Sequence, residues 1–122
     1  MEGKIQGKGK KFTVRGQVEY SGSWEDGVPS GAGELYVDGK LKFGGNFVGG
    51  KKQGGGKEFD QAGAVRFAGE FLDNNICGFG VAYYPEGGKA YQGEWKDGKK
   101  WGKGTSYHNL EVFFYFLVDQ EF

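Results

Sequence analysis

Large aromatic residues and glycines recur at a fixed spacing along almost the whole chain. The lead rings Tyr20, Phe43, Phe67 and Tyr91 stand 23, 24 and 24 residues apart. A glycine follows each lead ring after two residues and a second ring after four: Gly22 and Trp24, Gly45 and Phe47, Gly69 and Phe71, Gly93 and Trp95. A Gly-x-Gly begins eleven residues after each lead ring, and a third ring closes the pattern: Tyr36, Phe59, Tyr83 and Tyr107. Such a period indicates one supersecondary unit that is copied and stacked.

Alternation within each unit predicts two β-strands. Successive side chains of a strand point to opposite faces, so Tyr20, Gly22 and Trp24 share one face. A second strand follows each Gly-x-Gly, as in residues 34–37, and turn signals such as Asp38-Gly39 close the unit. Helix is disfavoured, because glycine costs about 1 kcal/mol per helical position relative to alanine. The predicted fold is all-β: an elongated, twisted antiparallel meander of about ten strands.

The first turn of each unit carries a conformational signal. Seven residues after the lead rings stand Gly27, Gly50, Asn74 and Gly98. Asparagine is among the residues that best tolerate the left-handed region after glycine. A positive φ is therefore predicted at all four positions.

Simple alternation places Gly33 and Tyr36 on opposite faces of the second strand. Two explanations fit this spacing. Either a bulge follows the Gly-x-Gly, or glycines thin one face of the sheet while rings fill the other.

The pattern indicates one continuous array of repeats and no separate domains. A partial repeat at 1–19 precedes full repeats at 20–42, 43–66, 67–90 and 91–114, and a degenerate terminal strand occupies 115–122. In that last strand Leu117 takes the glycine position and Asp119 the second-ring position.

Composition and charge narrow the classes of function. Glycine accounts for 26 of 122 residues, and the 16 basic residues balance the 16 acidic ones. A zero net charge gives no general attraction to nucleic acid. Cys77 is the only cysteine, which fits a reducing compartment. With His108 as the only histidine, the chain offers no zinc site and no catalytic constellation, so neither enzyme activity nor a cofactor is expected.

The unit that runs from Tyr91 through Gly93, Trp95 and Gly98 to Gly102 and Gly104 resembles a MORN repeat. The unit from Tyr20 matches nearly as well, and those from Phe43 and Phe67 carry Phe in place of Tyr and Trp. The resemblance covers roughly residues 7–115. It implies a curved array of β-hairpins that acts as a protein-interaction module or scaffold, in some members self-associating, alone or attached to a catalytic domain. Lipid binding has been proposed for some members.

Two sets of residues are predicted to contact a protein partner. Exposed ring edges would line a groove: Tyr20, Trp24, Phe43, Phe47, Phe67, Phe71, Tyr91 and Trp95. The uncharged apolar run near the C-terminus would form a self-association edge: Val112, Phe113, Phe114, Tyr115, Phe116, Leu117 and Val118. A bare strand of this composition is an aggregation hazard, so a second copy is expected to cover it in a homodimer. The alternatives are that the strand folds back to cap its own array, or that a longer native chain covers it.

Two alternatives remain open at this point. An anionic-lipid adaptor would use the basic residues of two units: Lys51, Lys52, Lys96, Lys99, Lys100 and Lys103. The sign of the charge alternates from one first turn to the next. A membrane-binding edge would instead be basic at every turn. The second alternative is a targeting segment of a larger enzyme. The expected location is the cytoplasm, including the periphery of a membrane or a cytoskeletal structure.

Overall fold

A computed structural model describes residues 6–108 as one sheet of nine antiparallel strands. The strands are β1 (Gly7–Phe12), β2 (Val18–Glu25), β3 (Val28–Val37), β4 (Lys40–Val48), β5 (Lys51–Phe59), β6 (Val65–Leu72), β7 (Asn75–Tyr83), β8 (Lys89–Lys96) and β9 (Lys99–Ser106). Their order in the sheet is their order in the chain, so each strand pairs with its sequence neighbours. The predicted all-β meander of hairpins is confirmed. The predicted terminal strand from residue 115 lies outside the described residues.

Two-residue turns with positive φ close the first hairpin of every full unit. The second turn residue has φ of 83° at Gly27, 83° at Gly50, 74° at Asn74 and 79° at Gly98, which confirms the predicted left-handed position. The residue before it is also left-handed, as at Asp26 (53°). Two consecutive residues with positive φ define the type I′ turn, whose twist matches that of the flanking strands.

Hydrogen bonds join the first turn of one unit to the preceding unit. The Asn74 N–H donates to the Lys52 carbonyl at 3.0 Å, and the Lys52 N–H donates to Asn74 Oδ1 at 2.8 Å. The equivalent backbone bonds run from Gly50 to Pro29 and from Gly98 to Ile76, each at 2.9 Å. Neighbouring units are therefore linked at their turns as well as along their strands.

The left-handed turn predicts the effect of a substitution at Gly98. Gly98→Val should lower the free energy of unfolding by about 1–2 kcal/mol, because a β-branched residue is disfavoured at positive φ. A Cβ on Gly98 would meet nothing within 4 Å, so the cost comes from the backbone alone. Thermal unfolding measures it, with Lys99→Val at the adjacent strand position as control. Equal melting temperatures for the two variants would contradict a strained turn.

The two explanations for the Gly-x-Gly strand both describe part of the structure. Gly33 lies opposite Gly22 and Gly45 in the sheet, beneath the Tyr20 ring. The Tyr36 hydroxyl donates to Glu34 Oε1 at 2.9 Å, which places Tyr36 on the other face. A register shift also occurs between Leu35 and Tyr36, and it recurs at the same place in the next two units. Glycines thus thin one face, and an irregularity follows the Gly-x-Gly.

Among residues 6–108, no helix is long and apolar enough to cross a membrane.

Candidate interaction surfaces

Eight aromatic rings form a continuous ladder on one face of the sheet, called the ring face below. Lead rings and second rings alternate along it in the order Trp24, Tyr20, Phe47, Phe43, Phe71, Phe67, Trp95 and Tyr91. Neighbouring rings meet edge to face, with centroids 5.0 to 5.6 Å apart. Aromatic pairs prefer this geometry, and each pair adds about 0.5–1.5 kcal/mol beyond the area it buries. The ladder connects every full unit to the next.

A row of glycines crosses the sheet beneath the ladder, one from each strand. In strand order they are Gly9, Gly22, Gly33, Gly45, Gly56, Gly69, Gly80, Gly93 and Gly104. A Cβ on Gly56 would stand 2.5 Å from Cζ of Phe43, and one on Gly45 would stand 2.6 Å from Cα of Gly56. The rings lie where side chains of the row would otherwise be. This close approach explains why glycine recurs at both positions of the repeat.

The first and last full units carry polar rings, and each polar atom has a partner. The hydroxyl of Tyr20 donates to the Ser23 carbonyl at 3.0 Å, and Tyr91 repeats this bond to Glu94 at 3.1 Å. The indole Nε1 of Trp24 donates to the Gly9 carbonyl, and that of Trp95 to the Gly80 carbonyl. Burial raises the pKa of Tyr20 above that of an ordinary tyrosine, which is already protonated at neutral pH, so the hydroxyl stays a donor. The phenylalanines of the two central units need no such partners.

The rings proposed to line a partner groove are mostly buried by one another. Tyr20, Trp24, Phe43, Phe47, Phe67, Phe71 and Tyr91 are between 0 and 6% exposed, and Trp95 is partly buried. Partner binding at these residues stays a prediction. The ring surface left for a partner is nevertheless small, because neighbouring rings and the glycine row already contact it.

The lysines of the lipid alternative fall into two groups. Three lie over aromatic rings: Lys52 is 4.7 Å from the Phe43 centroid, Lys96 is 5.3 Å from Trp101, and Lys100 is 5.0 Å from Tyr91. Lys52 also forms an ion pair of 3.3 Å with Glu58 and is only partly exposed. Lys51, Lys99 and Lys103 form the second group and, like Lys96 and Lys100, are exposed. Lys52 is therefore a packing residue of the ring face as well as a charge.

The self-association edge, residues 112–118, lies outside the described residues. Within them the last strand is β9, and all eight of its residues are exposed. β9 pairs with β8 on one side. Its other side is the edge at which the chain leaves the described sheet.

Several exposed apolar residues were not predicted from the repeat. Val48 and Leu72 are 61% and 50% exposed, and each directly follows a second ring, so alternation places them on the face opposite the ladder. Phe79 and Trp101, at 52% and 56%, add aromatic surface at the end of the array where β9 lies. The position five residues after the lead ring could have indicated the first pair. The two outer units carry charged residues at that position, Glu25 and Lys96, and this hides the signal.

The chain was compared with known proteins. The protein-family model of the MORN repeat matches residues 20–40, 67–89 and 91–108, together just over half of the chain. A search of curated proteins found no match. The unit from Phe43 lies between the matched segments and continues the same ladder, since its rings contact Tyr20 and Phe71.

Proposed function

This chain belongs to the MORN repeat family, and from that premise we propose that it is a non-enzymatic protein-interaction module that self-associates. MORN repeats are generally interaction or membrane-binding modules, which fits a scaffold role. One observation carries the proposal. The rings of the ladder are buried against one another, while apolar side chains such as Val48 and Leu72 remain exposed on the opposite face. A contiguous exposed apolar patch is typical of contact sites.

Self-association is assigned to the apolar segment 112–118. It holds seven apolar residues in succession, with no charge before Asp119. The edge formed by β1 is different in character, because Lys8, Lys10 and Lys11 discourage the addition of another strand. A two-fold contact between two copies of segment 112–118 is self-complementary and closes the assembly at a homodimer.

Light scattering of the full chain tests this assignment. The unmodified protein should have the mass of two copies at high micromolar concentration, and the double variant Phe114→Lys and Phe116→Lys should have the mass of one. Charges placed in the contact would have to be desolvated without partners. Leu72→Lys, which also adds a lysine at an apolar position but outside segment 112–118, serves as control and should stay dimeric. A soluble monomer for the unmodified protein would refute the homodimer.

A lipid-binding function is the second candidate, and the end of the array near β9 favours it most. There Trp101 is exposed with Lys96 over its ring, and Lys99 and Lys103 are exposed nearby. Trp and Lys together are typical of surfaces that meet a membrane interface. The balanced net charge argues against strong binding.

Vesicle co-sedimentation at physiological salt separates the two candidates. We expect little of the protein to sediment with phosphoinositide-containing vesicles. Robust binding that Lys99→Glu and Lys103→Glu abolish, and that Lys57→Glu leaves intact, would favour the lipid adaptor instead.

The proposed cellular setting follows from the cysteine content of the chain. A single cysteine supports a cytoplasmic location, including the periphery of a membrane or cytoskeletal structure. The length of the native reading frame would distinguish an independent protein from a targeting segment of a larger enzyme.

A further inference from the structure

The face opposite the ladder carries an apolar stripe along β7 that the repeat does not require. Its members are Phe79, Val81 and Tyr83, which alternate with ring-face residues of the same strand. Phe79 is 52% exposed, and Val81 and Tyr83 are half-buried. The first two full units carry Ala32 and Gly55 at the position of Phe79. The array therefore packs without a ring at this position, and the ring is available to another molecule.

Two carboxylates flank the stripe at the level of Phe79. Glu94 lies directly opposite Phe79 on β8, and Glu70 lies on β6, the other neighbour of β7. The two glutamates hold equivalent positions in successive units, two strands apart, so they stand about 10 Å from each other. Within residues 6–108 neither forms an ion pair. The first two full units carry Ser23 and Asn46 at this position, so the carboxylates occur where the exposed ring does.

We propose that this surface binds an amphipathic helix of a partner protein, with basic residues on both sides of the helix's apolar stripe. The surface is called the β7 face and comprises Glu70, Phe79, Val81, Tyr83 and Glu94. Apolar side chains of the helix would cover Phe79, and a lysine or arginine on each flank would reach one glutamate. A helix is about 10–12 Å wide with its side chains, which matches the spacing of the two carboxylates. The inference rests on the proposed role as an interaction module and does not need self-association.

A helix fits the β7 face better than an extended peptide does. Strands β6, β7 and β8 each pair with a neighbour on both sides, so their backbone groups are not open to a partner. An extended peptide laid on the face would leave its own N–H and C=O groups unpaired, whereas a helix satisfies most of them internally. The stripe from Phe79 to Tyr83 is about 13 Å long, which corresponds to about nine helical residues.

The charge beside the stripe changes sign towards Tyr83. Arg66 donates from Nε to the Tyr83 carbonyl at 3.2 Å, and Lys89 lies opposite Tyr83 on β8. Acidic residues of the helix are therefore expected at that end and basic residues beside Phe79. Because acidic residues stabilise the N-terminus of a helix and basic residues its C-terminus, the helix should run from Tyr83 towards Phe79, antiparallel to β7.

Binding of a synthetic helix to the full chain tests the proposal. The probe is a fluorescently labelled peptide of about 18 residues, long enough to form a helix on the surface. It carries a leucine stripe, glutamates in its first turn and lysines on both flanks of its later turns. Fluorescence anisotropy at physiological salt measures its affinity. We expect it to bind about tenfold more tightly than a peptide of the same composition whose scrambled order removes the stripe.

Four variants locate the contact. Phe79→Ala and the double variant Glu70→Lys and Glu94→Lys should each weaken binding by about tenfold. Glu25→Lys, at an exposed carboxylate on the same face of the first unit, is the matched control and should not. Lys103→Ala should strengthen binding, because it removes an exposed basic residue that lines the same depression as Phe79 and Glu94. The double lysine variant should bind a second probe whose flank lysines are replaced by glutamates, which would also show that this variant is folded.

Several results would overturn the proposal. They are an absence of binding, equal affinity of the unmodified protein for the lysine and glutamate probes, and binding that Phe79→Ala leaves unchanged. Light scattering that shows a dimer for the unmodified protein and a monomer for Phe79→Ala would mean that a second copy occupies the β7 face, which also contradicts it. A monomer that binds the lysine probe would refute self-association alone, and a dimer that does not bind would refute this inference alone.

Discussion

Replacing Phe43 with alanine is expected to lower the free energy of unfolding by about 3–5 kcal/mol. Phe43 is 0% exposed and lies at the centre of the ladder. Its ring contacts Phe47 and Phe71, with centroids 5.4 and 5.1 Å away, and lies under the Lys52 ammonium. A domain of ordinary stability has about 5–15 kcal/mol in total, so the loss of one ring should remove a large share of it.

Urea unfolding followed by circular dichroism measures this change, with Phe79→Ala as control. Phe79 is 52% exposed and on the opposite face, so its truncation removes the same atoms with little loss of packing. The ladder predicts a much lower urea midpoint for Phe43→Ala than for Phe79→Ala. Similar midpoints would mean that the ladder does not hold the sheet together.

Adding one methyl group to the glycine row should be nearly as damaging as removing a ring. Gly56→Ala places a Cβ where Cζ and Cε1 of Phe43 stand at 2.5 and 2.6 Å. Phe43 is enclosed by neighbouring rings and cannot move away freely. Overpacking of this kind costs about 1–3 kcal/mol or more.

The adjacent glycine provides a matched control in the same strand. A Cβ on Gly55 would meet nothing within 4 Å, and its φ lies outside the left-handed region. Gly55→Ala should therefore leave stability unchanged or raise it by about 0.4–1 kcal/mol, because alanine reduces the freedom of the unfolded chain. Thermal melts of the two variants compare them directly. A loss at Gly55 equal to that at Gly56 would show that any alanine harms the strand and that the rings are not the cause.

The repeat spacing was enough to predict the strands, the shared face of the rings and the left-handed turns. These features depend on local rules. Alternation along a strand places Tyr20 and Trp24 on the same face. The repeat position of Asn74 holds only Gly and Asn, the residues that best accept a positive φ. The family was predictable for the same reason. One pattern appears four times in register, and each copy confirms the others.

Features that depend on cross-strand register were beyond the sequence. The sequence offered both a bulge after the Gly-x-Gly and a glycine-thinned face but could not choose between them, because the irregularity before Tyr36 and the continuous glycine row follow from how whole strands align. Lys52 was predicted only as a basic residue of the lipid alternative. Only the paired strands show that it lies opposite Phe47, over Phe43 and beside Glu58. The exposed Val48 and Leu72 were missed because the outer units carry Glu25 and Lys96 at that position.

The central claim is that edge-to-face rings of successive units hold one sheet together and leave the face opposite the rings for partners. Nuclear Overhauser contacts between ring protons test it most directly. The account predicts contacts between units for Tyr20 with Phe47, Phe43 with Phe71, and Phe67 with Trp95, whose centroids are 5.3, 5.1 and 5.2 Å apart. Contacts confined to pairs within one unit, such as Tyr20 with Trp24, would contradict it.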